Sequence, residues 1–352
     1  MAAYAASQPI LPTEAARTAW VDCAKGLCII MVVMMHSTLG VEAAAGTEGW
    51  MHSVVAFARP FRMPDFFLIA GLFLARVIDR DWRTYLDKKL VHFLYFYVIW
   101  VTIQAVVKQG YPAYVSGDWA GFGWTLASAA WDPPGTLWFI YILPIFFILA
   151  KLVRGLNPLL VLGVAALLEI LPIETGWFIG DEFCSRLVYF LIGVYAAPMI
   201  FRFADRIAAN PGLAIAGLPV WAIGNAAAVI LGVAEMPVVS LGLGMVGALA
   251  VIAFAVLLSR GAWGAPVRYC GQHSLVIYLA FFLPMAATRI GLLKTGVITD
   301  IGLISLMVTV TAVTVPLILH RVVRPTPLRF LFERPAWPRL TPARRSAMVP
   351  AE

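Results

Sequence analysis

Long apolar runs separated by short charged gaps make up most of this sequence. A helix that crosses a bilayer needs about 20 mostly apolar residues, and ten runs approach or reach that length. They lie at residues 26–45, 54–76, 91–108, 135–151, 157–173, 184–201, 211–232, 238–258, 274–293 and 300–321. The runs predict an all-α polytopic membrane protein with about ten transmembrane helices.

Composition supports this class and excludes another. Of the 352 residues, 61% are hydrophobic and 13% are charged, whereas a soluble domain carries about a quarter charged residues. The surplus apolar surface must therefore face membrane lipid. The net charge of +7 would suit a nucleic-acid-binding protein, but the basic residues lie in the gaps between runs and form no patch or arm. We therefore expect no nucleic-acid partner.

The basic residues also predict the orientation, because cytoplasmic loops are enriched in Lys and Arg. With the N-terminus in the cytoplasm and ten spans, 20 of the 26 basic residues fall on the cytoplasmic side. Both termini are then cytoplasmic. The chain divides into a tail at 1–16, a membrane domain at 17–322 and a basic tail at 323–352. It shows no cleavable signal pattern before the first run.

His36 is an ionisable residue deep in the first run. It follows Lys25 by eleven residues, which places it about 16 Å deeper along a helix and on the same face. One interpretation is a histidine that hydrogen-bonds between helices. The other is a proton acceptor reached through a polar cavity, a role that a neutral imidazole can fill.

Arg59, Arg62 and Asp65 lie at three-residue steps in the second run, so they share one helix face. Arg62 and Asp65 could neutralise each other. Two arginines with one carboxylate leave a positive surplus, which would instead suit an anionic ligand or an oxyanion. Arg186 and Arg289 have a simpler interpretation, as residues whose side chains reach the outer membrane interface. The segment DRDWRTYLDKKLVHF is interpreted as a basic stretch that lies against anionic lipid.

Two sequence motifs resemble a known family. The stretch RTAWVDCAKGLCIIMVVMMHS is similar to the first-helix signature of acyltransferase family 3, which are integral-membrane O-acyltransferases. The signature positions are Arg17, Asp22, Lys25, Gly26 and His36. The stretch RMPDFFLIAGLF resembles the second-helix signature. Weaker similarities follow in GTLWFIYILPIFFILAKL, SRLVYFLIGVYAAP and GQHSLVIYLAFF.

The sequence departs from the family pattern at two positions. Ala70 stands where the second motif usually has Ser, and Phe281 stands where many members have His. No fused extracytoplasmic esterase-like domain is recognisable. Selection of the acceptor is therefore expected in the membrane domain, its loops or a separate protein.

The resemblance implies a multi-pass protein of the bacterial inner membrane. It would move an acyl group, with acetyl as the leading candidate, from cytoplasmic acyl-CoA to a hydroxyl of an extracytoplasmic or lipid-linked glycan. His36 would be the general base, with Arg62 and Asp65 as further catalytic candidates. Lys25, together with Arg17, would bind the CoA phosphates at the cytoplasmic end, and Asp22 would belong to the same donor-binding site. Acyl-CoA is a substrate, and we expect no permanently bound cofactor and no metal.

A non-enzyme of another class remains possible from the residues alone. Intramembrane His, Arg and Asp also line the substrate or proton paths of transporters and export factors. The two halves of the sequence show no internal repeat, however. Acyl transfer by the purified protein discriminates between the two classes.

The orientation makes the first testable prediction. Reporter fusions after Arg83, Arg206 and Arg268 should lie in the cytoplasm. Fusions near Gly117, Ile179 and Thr299 should lie outside it, because the positive gaps and the poorly charged gaps alternate along the chain. One fusion that reports from the opposite side would end the ten-span topology.

Overall fold

The computed structural model describes residues 14–338 and residue 340, with side chains from residue 19 onward. Within these residues the regular structure is entirely helical, as predicted. The helices are α1 Glu14–Ala45, α2 Met51–Gly71, α3 Trp82–Ser116, α4 Trp119–Ser128, α5 Trp138–Val153, α6 Pro158–Ile170, α7 Phe178–Tyr195, α8 Ala197–Ala209, α9 Pro211–Ile230, α10 Val239–Ser259, α11 Ala265–Gln272, α12 Ser274–Ala280, α13 Phe282–Thr295 and α14 Ile301–Val323.

Each of the ten apolar runs coincides with a helix or with a bent pair of helices. Not all of these helices are long and apolar enough to cross a membrane. Five of the described helices are long and apolar enough to cross a membrane, namely α1, α3, α9, α10 and α14. Counting each of two bent pairs as one span raises the number to seven. Helix α2 has the length but carries three charges, and α5 and α6 are short. The count of ten spans stays a prediction.

Prolines explain both bends. The run 184–201 bends by 74° between α7 and α8, and the run 274–293 bends by 53° between α12 and α13. A proline ring clashes with the carbonyl four residues earlier in a helix. Pro198 stands four residues after Val194, near the end of α7, and Pro284 stands four residues after Ala280, the last residue of α12. The second bend places Phe281 between two helices.

Helix α1 is central, and it packs against α2, α10, α11 and α14. Its contact with α11 is a close approach of two backbones. A methyl group at Gly26 would overlap the carbonyl oxygen of Val267, and one at Gly271 would overlap that of Asp22. Small residues permit such contacts between membrane helices. Gly26 of the first motif is therefore needed for packing.

The second close approach joins α2 to α7. A methyl group at Gly71 would overlap the carbonyl oxygen of Phe190, and one at Gly193 would overlap that of Leu68. The two glycines belong to two of the motifs quoted above, so these motifs meet in space. Their contact fixes the height of Arg62 and Asp65 relative to α7.

The described C-terminal segment packs on the start of α3. The Trp100 indole donates to the Leu331 carbonyl at 3.0 Å, and Arg334 pairs with Asp87 at 2.9 Å, both charges being nearly fully buried. Of the predicted tails, residues 1–13, 339 and 341–352 lie outside the described residues. We call the end of the bundle where α1 begins the Lys25 face, and the opposite end the Glu42 face.

The α2–α7 contact generates a stability prediction. Gly193→Ala should lower the free energy of unfolding by about 1–3 kcal/mol, because the new methyl group meets a backbone atom that cannot rotate away. Gly217→Ala on α9 is the matched control, since its methyl group would meet open space. Thermal unfolding in detergent measures both. Equal unfolding midpoints would contradict the close contact.

Candidate active site

His36 lies in the core of the bundle beside the bend at Phe281. The two ring centroids are 5.4 Å apart, and Phe281 is fully buried. Among the described residues no group hydrogen-bonds the imidazole, and the residue keeps some accessible surface. A histidine that only bridges helices would have such a partner. The ring is instead available to a ligand.

Ser37, the residue after His36, is fully buried. Its hydroxyl has no hydrogen-bond partner within the described part of the chain, and the same holds for Thr38. Neither hydroxyl is paired with a base. The structure therefore shows no activated serine nucleophile at this position.

Arg62 is the arginine whose positive charge acts on the His36 imidazole. It is 8% exposed, and its Nε and Nη1 atoms have no partner among the described residues. The other two nearby arginines are paired: Arg59 with Glu235 at 2.6 Å and Arg186 with Glu182 at 2.9 Å. Arg62 thus presents unused buried donors to the space around His36.

Asp65 is fully buried on the same helix. It forms no ion pair with Arg62 within 4.0 Å among the described residues, although the two charges act on each other. Its side chain interacts with the Cys28 thiol, while neither carboxyl oxygen reaches a hydrogen-bond partner at normal geometry. Mutual neutralisation by a direct Arg62–Asp65 salt bridge, one of the two interpretations of the sequence, is wrong for this structure.

Two π-helical segments in α3 each place a lysine at the site. Lys89 lies in Asp87–Val91, and Lys108 lies in Val106–Gly110. The Lys108 ammonium is 4.5 Å from the Phe282 ring centroid, and its charge acts on His36. Segments of π helix inside α helices occur often at functional sites, since the extra residue redirects side chains.

A cavity of about 330 Å³ opens toward the Lys25 face. Lys25 and Lys89 contribute charges to its lining, and the rest is mainly apolar and aromatic. Lys25 also lies 3.5 Å from the Asp22 carboxylate, which accepts a hydrogen bond from Gln272 at 3.3 Å. We call this space the lysine cavity.

A layer of aromatic rings separates the lysine cavity from His36. Phe66 stacks on Phe139 with centroids 4.2 Å apart, and Phe139 meets Tyr278 at 5.8 Å. Tyr278 lies 6.5 Å from Phe281, which contacts His36. The Tyr278 hydroxyl accepts a hydrogen bond from the Ile140 amide at 3.3 Å. The layer joins residues from three of the five quoted motifs.

The structure brings together part of the predicted site. The charge of Arg62 acts on His36, Lys25 lies 3.5 Å from the Asp22 carboxylate, and the Asp65 side chain interacts with the Cys28 thiol. Arg17 lies on α1, and its side chain is outside the described residues.

Sequence reasoning missed Lys89 and Lys108. Lys89 was expected to face lipid in the segment DRDWRTYLDKKLVHF, and that expectation is wrong because the residue lines a protein cavity. Period-3.6 patterns cannot reveal a π segment, which shifts the helix face by one residue. Phe139 and Tyr278 could have been found, because both lie in the weaker motifs.

Comparisons with known proteins agree with the motifs. Inner membrane protein YcfT of Escherichia coli (strain K12) is 25% identical over 226 residues. This alignment covers 56% of the chain and 62% of that relative, so it spans less than two thirds of either. No solved structure matches the chain.

A sequence profile described as an acyltransferase domain matches residues 18–321. This range contains the His36 site, the lysine cavity and all five motifs except Arg17, the first residue of the first motif. The protein is a membrane protein that belongs to acyltransferase family 3.

Proposed function

We propose that this protein transfers an acyl group from cytoplasmic acyl-CoA to a hydroxyl of an extracytoplasmic or lipid-linked glycan, and that this acyl group is acetyl. The observation that carries the proposal is the His36 ring, which has no hydrogen-bond partner in the described chain. The charge of Arg62 acts on this ring, and two of the Arg62 nitrogen atoms are unused donors. A base and an oxyanion donor are the two groups that acyl transfer to a hydroxyl requires.

The lysine cavity suits the donor. Two ammonium groups near its opening can bind CoA phosphates, which attract compact cations. Its apolar aromatic interior suits the thioester arm, which is mostly uncharged. Asp22 would orient Lys25, and Arg17 would add a third cation at the same end of α1. Acyl-CoA acts as a substrate, with no permanently bound cofactor.

The proposed reaction uses His36 as the base and Arg62 as the oxyanion donor. His36 accepts the proton of the acceptor hydroxyl as its oxygen attacks the thioester carbonyl carbon. The new C–O bond forms, the C–S bond breaks, and the proton passes to the departing CoA sulfur. Arg62 donates hydrogen bonds to the carbonyl oxygen while it carries negative charge. Asp65 acts on Arg62, so we assign it to balancing that charge.

The aromatic layer must open for this reaction. In the described arrangement Phe66, Phe139, Tyr278 and Phe281 lie between the thioester arm and His36. Side-chain rotation is fast relative to typical turnover. The layer would keep water and small solutes from crossing when no donor is bound.

The Lys25 face would be cytoplasmic, with both termini inside and ten spans in the bacterial inner membrane. The described ends support this arrangement, since the start of α1 and the C-terminal segment lie at the same face. An even number of membrane crossings places both ends of the chain on the same side of the membrane. A transporter of similar topology would bind a glycan without consuming acyl-CoA.

His36 provides the main test. His36→Ala and His36→Gln should lower acetyl transfer from radiolabelled acetyl-CoA to the native membrane glycan fraction by at least ~10²-fold, the low end for a lost general base. Acetyl-CoA binding and the unfolding midpoint should stay close to those of the wild type. The wild-type rate should fall at acid pH, since a protonated imidazole cannot accept a proton.

His273→Gln is the control for this experiment, because His273 lies near the Lys25 face and hydrogen-bonds the Tyr269 carbonyl at 3.0 Å. It should retain the wild-type rate. Comparable transfer by His36→Ala would remove the base from the mechanism. Absence of transfer by the wild type, with glycan movement across vesicles, would favour the transporter.

The lysine cavity gives a separate prediction. Lys25→Ala and Lys89→Ala should each weaken acetyl-CoA binding by about 10-fold, since each loses one charge-assisted contact with a phosphate. Wild-type affinity should fall as salt rises. Lys88→Ala is the matched control, because Lys88 is exposed on the same π segment. Titration calorimetry in nanodiscs measures all three, and an unchanged affinity in Lys89→Ala would place the donor elsewhere.

A further inference from the structure

A second cavity, of about 490 Å³, opens toward the Glu42 face. It lies where α2, α6, α7 and the turn between α9 and α10 meet, and its lining is mostly polar. Its charged or hydroxyl-bearing residues include Arg59, Glu169, Arg186, Tyr189, Glu235 and Ser240. Of these residues, only the ion pairs of Arg59 and Arg186 were described above. We call this space the Glu169 cavity.

Glu169 is held by two hydroxyl groups at one oxygen. Its Oε1 atom accepts hydrogen bonds from Ser240 at 2.8 Å and from Tyr189 at 3.2 Å. Its Oε2 atom is buried and has no partner among the described residues. A buried carboxylate oxygen without a partner is costly, and a bound hydrogen-bond donor would remove that cost. The carboxylate is thus oriented by protein groups at one oxygen, and its other oxygen keeps an unused capacity to accept a hydrogen bond.

A glycine positions Tyr189 for this contact. A methyl group at Gly244 on α10 would overlap the Tyr189 ring. Only a residue without a side chain lets the ring lie against α10 and direct its hydroxyl at Glu169. The geometry of the carboxylate therefore depends on three helices.

The charges in and around the Glu169 cavity are balanced by ion pairs. Arg59 pairs with Glu235 and Arg186 pairs with Glu182, at 2.6 and 2.9 Å. Each arginine has a carboxylate partner, whereas the second oxygen of Glu169 has no partner among the described residues. This disfavours an anionic ligand, and it favours one that presents several hydroxyl groups.

Arg62 connects the Glu169 cavity to His36. The charges of Arg186 and Arg59, which line the cavity, act on Arg62, and Arg62 acts in turn on His36. A ligand in the cavity would thus contact Arg59, three residues before Arg62 on α2. An acceptor several sugar units long can occupy the cavity and extend one hydroxyl past Arg62.

We propose that the Glu169 cavity binds the uncharged saccharide part of the acceptor, with Glu169 accepting hydrogen bonds from sugar hydroxyls. This proposal rests on the proposed function and names the part of the protein that selects the acceptor. Arg62 would then contact both the acceptor and the reacting carbonyl.

The test measures saccharide binding directly, without turnover. The wild type in nanodiscs is titrated with chitotriose, cellotriose and maltotriose as neutral probes, with trigalacturonate as the anionic probe and a chitosan trimer as the cationic probe. Saturation-transfer NMR reports binding. At least one neutral trisaccharide should bind in preference to both charged ones.

Glu169→Gln should weaken binding of that trisaccharide by about 10-fold or more, because the amide has no negative charge and replaces one acceptor oxygen with a donor nitrogen. Glu174→Gln, an exposed residue after α6, is the matched control and should bind normally. Ser185→Trp should also abolish binding by filling the cavity, and it leaves Glu169 intact. Acetyl-CoA affinity should stay within about two-fold in all three variants, since the lysine cavity is untouched.

Two results would overturn the proposal: no binding of any neutral trisaccharide, or unchanged binding in both Glu169→Gln and Ser185→Trp. A preference for the charged trimers would also overturn it. The proposed function fails separately, through absence of acetyl transfer with saccharide binding intact. The two failures are therefore distinguishable.

Discussion

Close contact between helix backbones, permitted by glycines, is the constraint on which the rest of the structure depends. Gly26 and Gly271 bring α1 against α11, and Gly71 and Gly193 bring α2 against α7. In lipid, helices gain little by hiding apolar side chains, so packing and interhelical hydrogen bonds must hold them together. The first contact sets the height of His36 relative to α11, and the second sets the height of Arg62 relative to α7.

The charges in the bundle divide into a paired and an unpaired set. Arg59 and Arg186 have carboxylate partners, and Arg62 has buried nitrogen atoms without one among the described residues. An unpaired buried charge weakens a fold, and proteins retain such groups mainly at functional sites. The same logic applies to Glu169, which lines the second cavity and has one buried oxygen without a partner among the described residues. The two cavities thus approach the Arg62–His36 region from opposite faces.

Some features of the structure could be predicted from the sequence, and others could not. The ten apolar runs predicted where helices form, and the motif around Lys25 and His36 identified the central helix. The same reasoning gave one straight helix at 274–293, where Pro284 bends the chain and places Phe281 against His36. Lys89 and Lys108 were missed because each lies in a π segment, which interrupts the period that a sequence pattern relies on.

The sequence by itself determined the all-helical class, the membrane environment and the family, because apolar run length and local motifs are properties of contiguous residues. Only the tertiary structure decided which charges are paired. Arg59 meets Glu235 from a distant turn, whereas Arg62 and Asp65, three residues apart, form no salt bridge. It also decided that two cavities exist, since each is enclosed by four or more segments remote in sequence. Such pairings depend on how helices pack, and packing is settled by contacts between residues far apart along the chain.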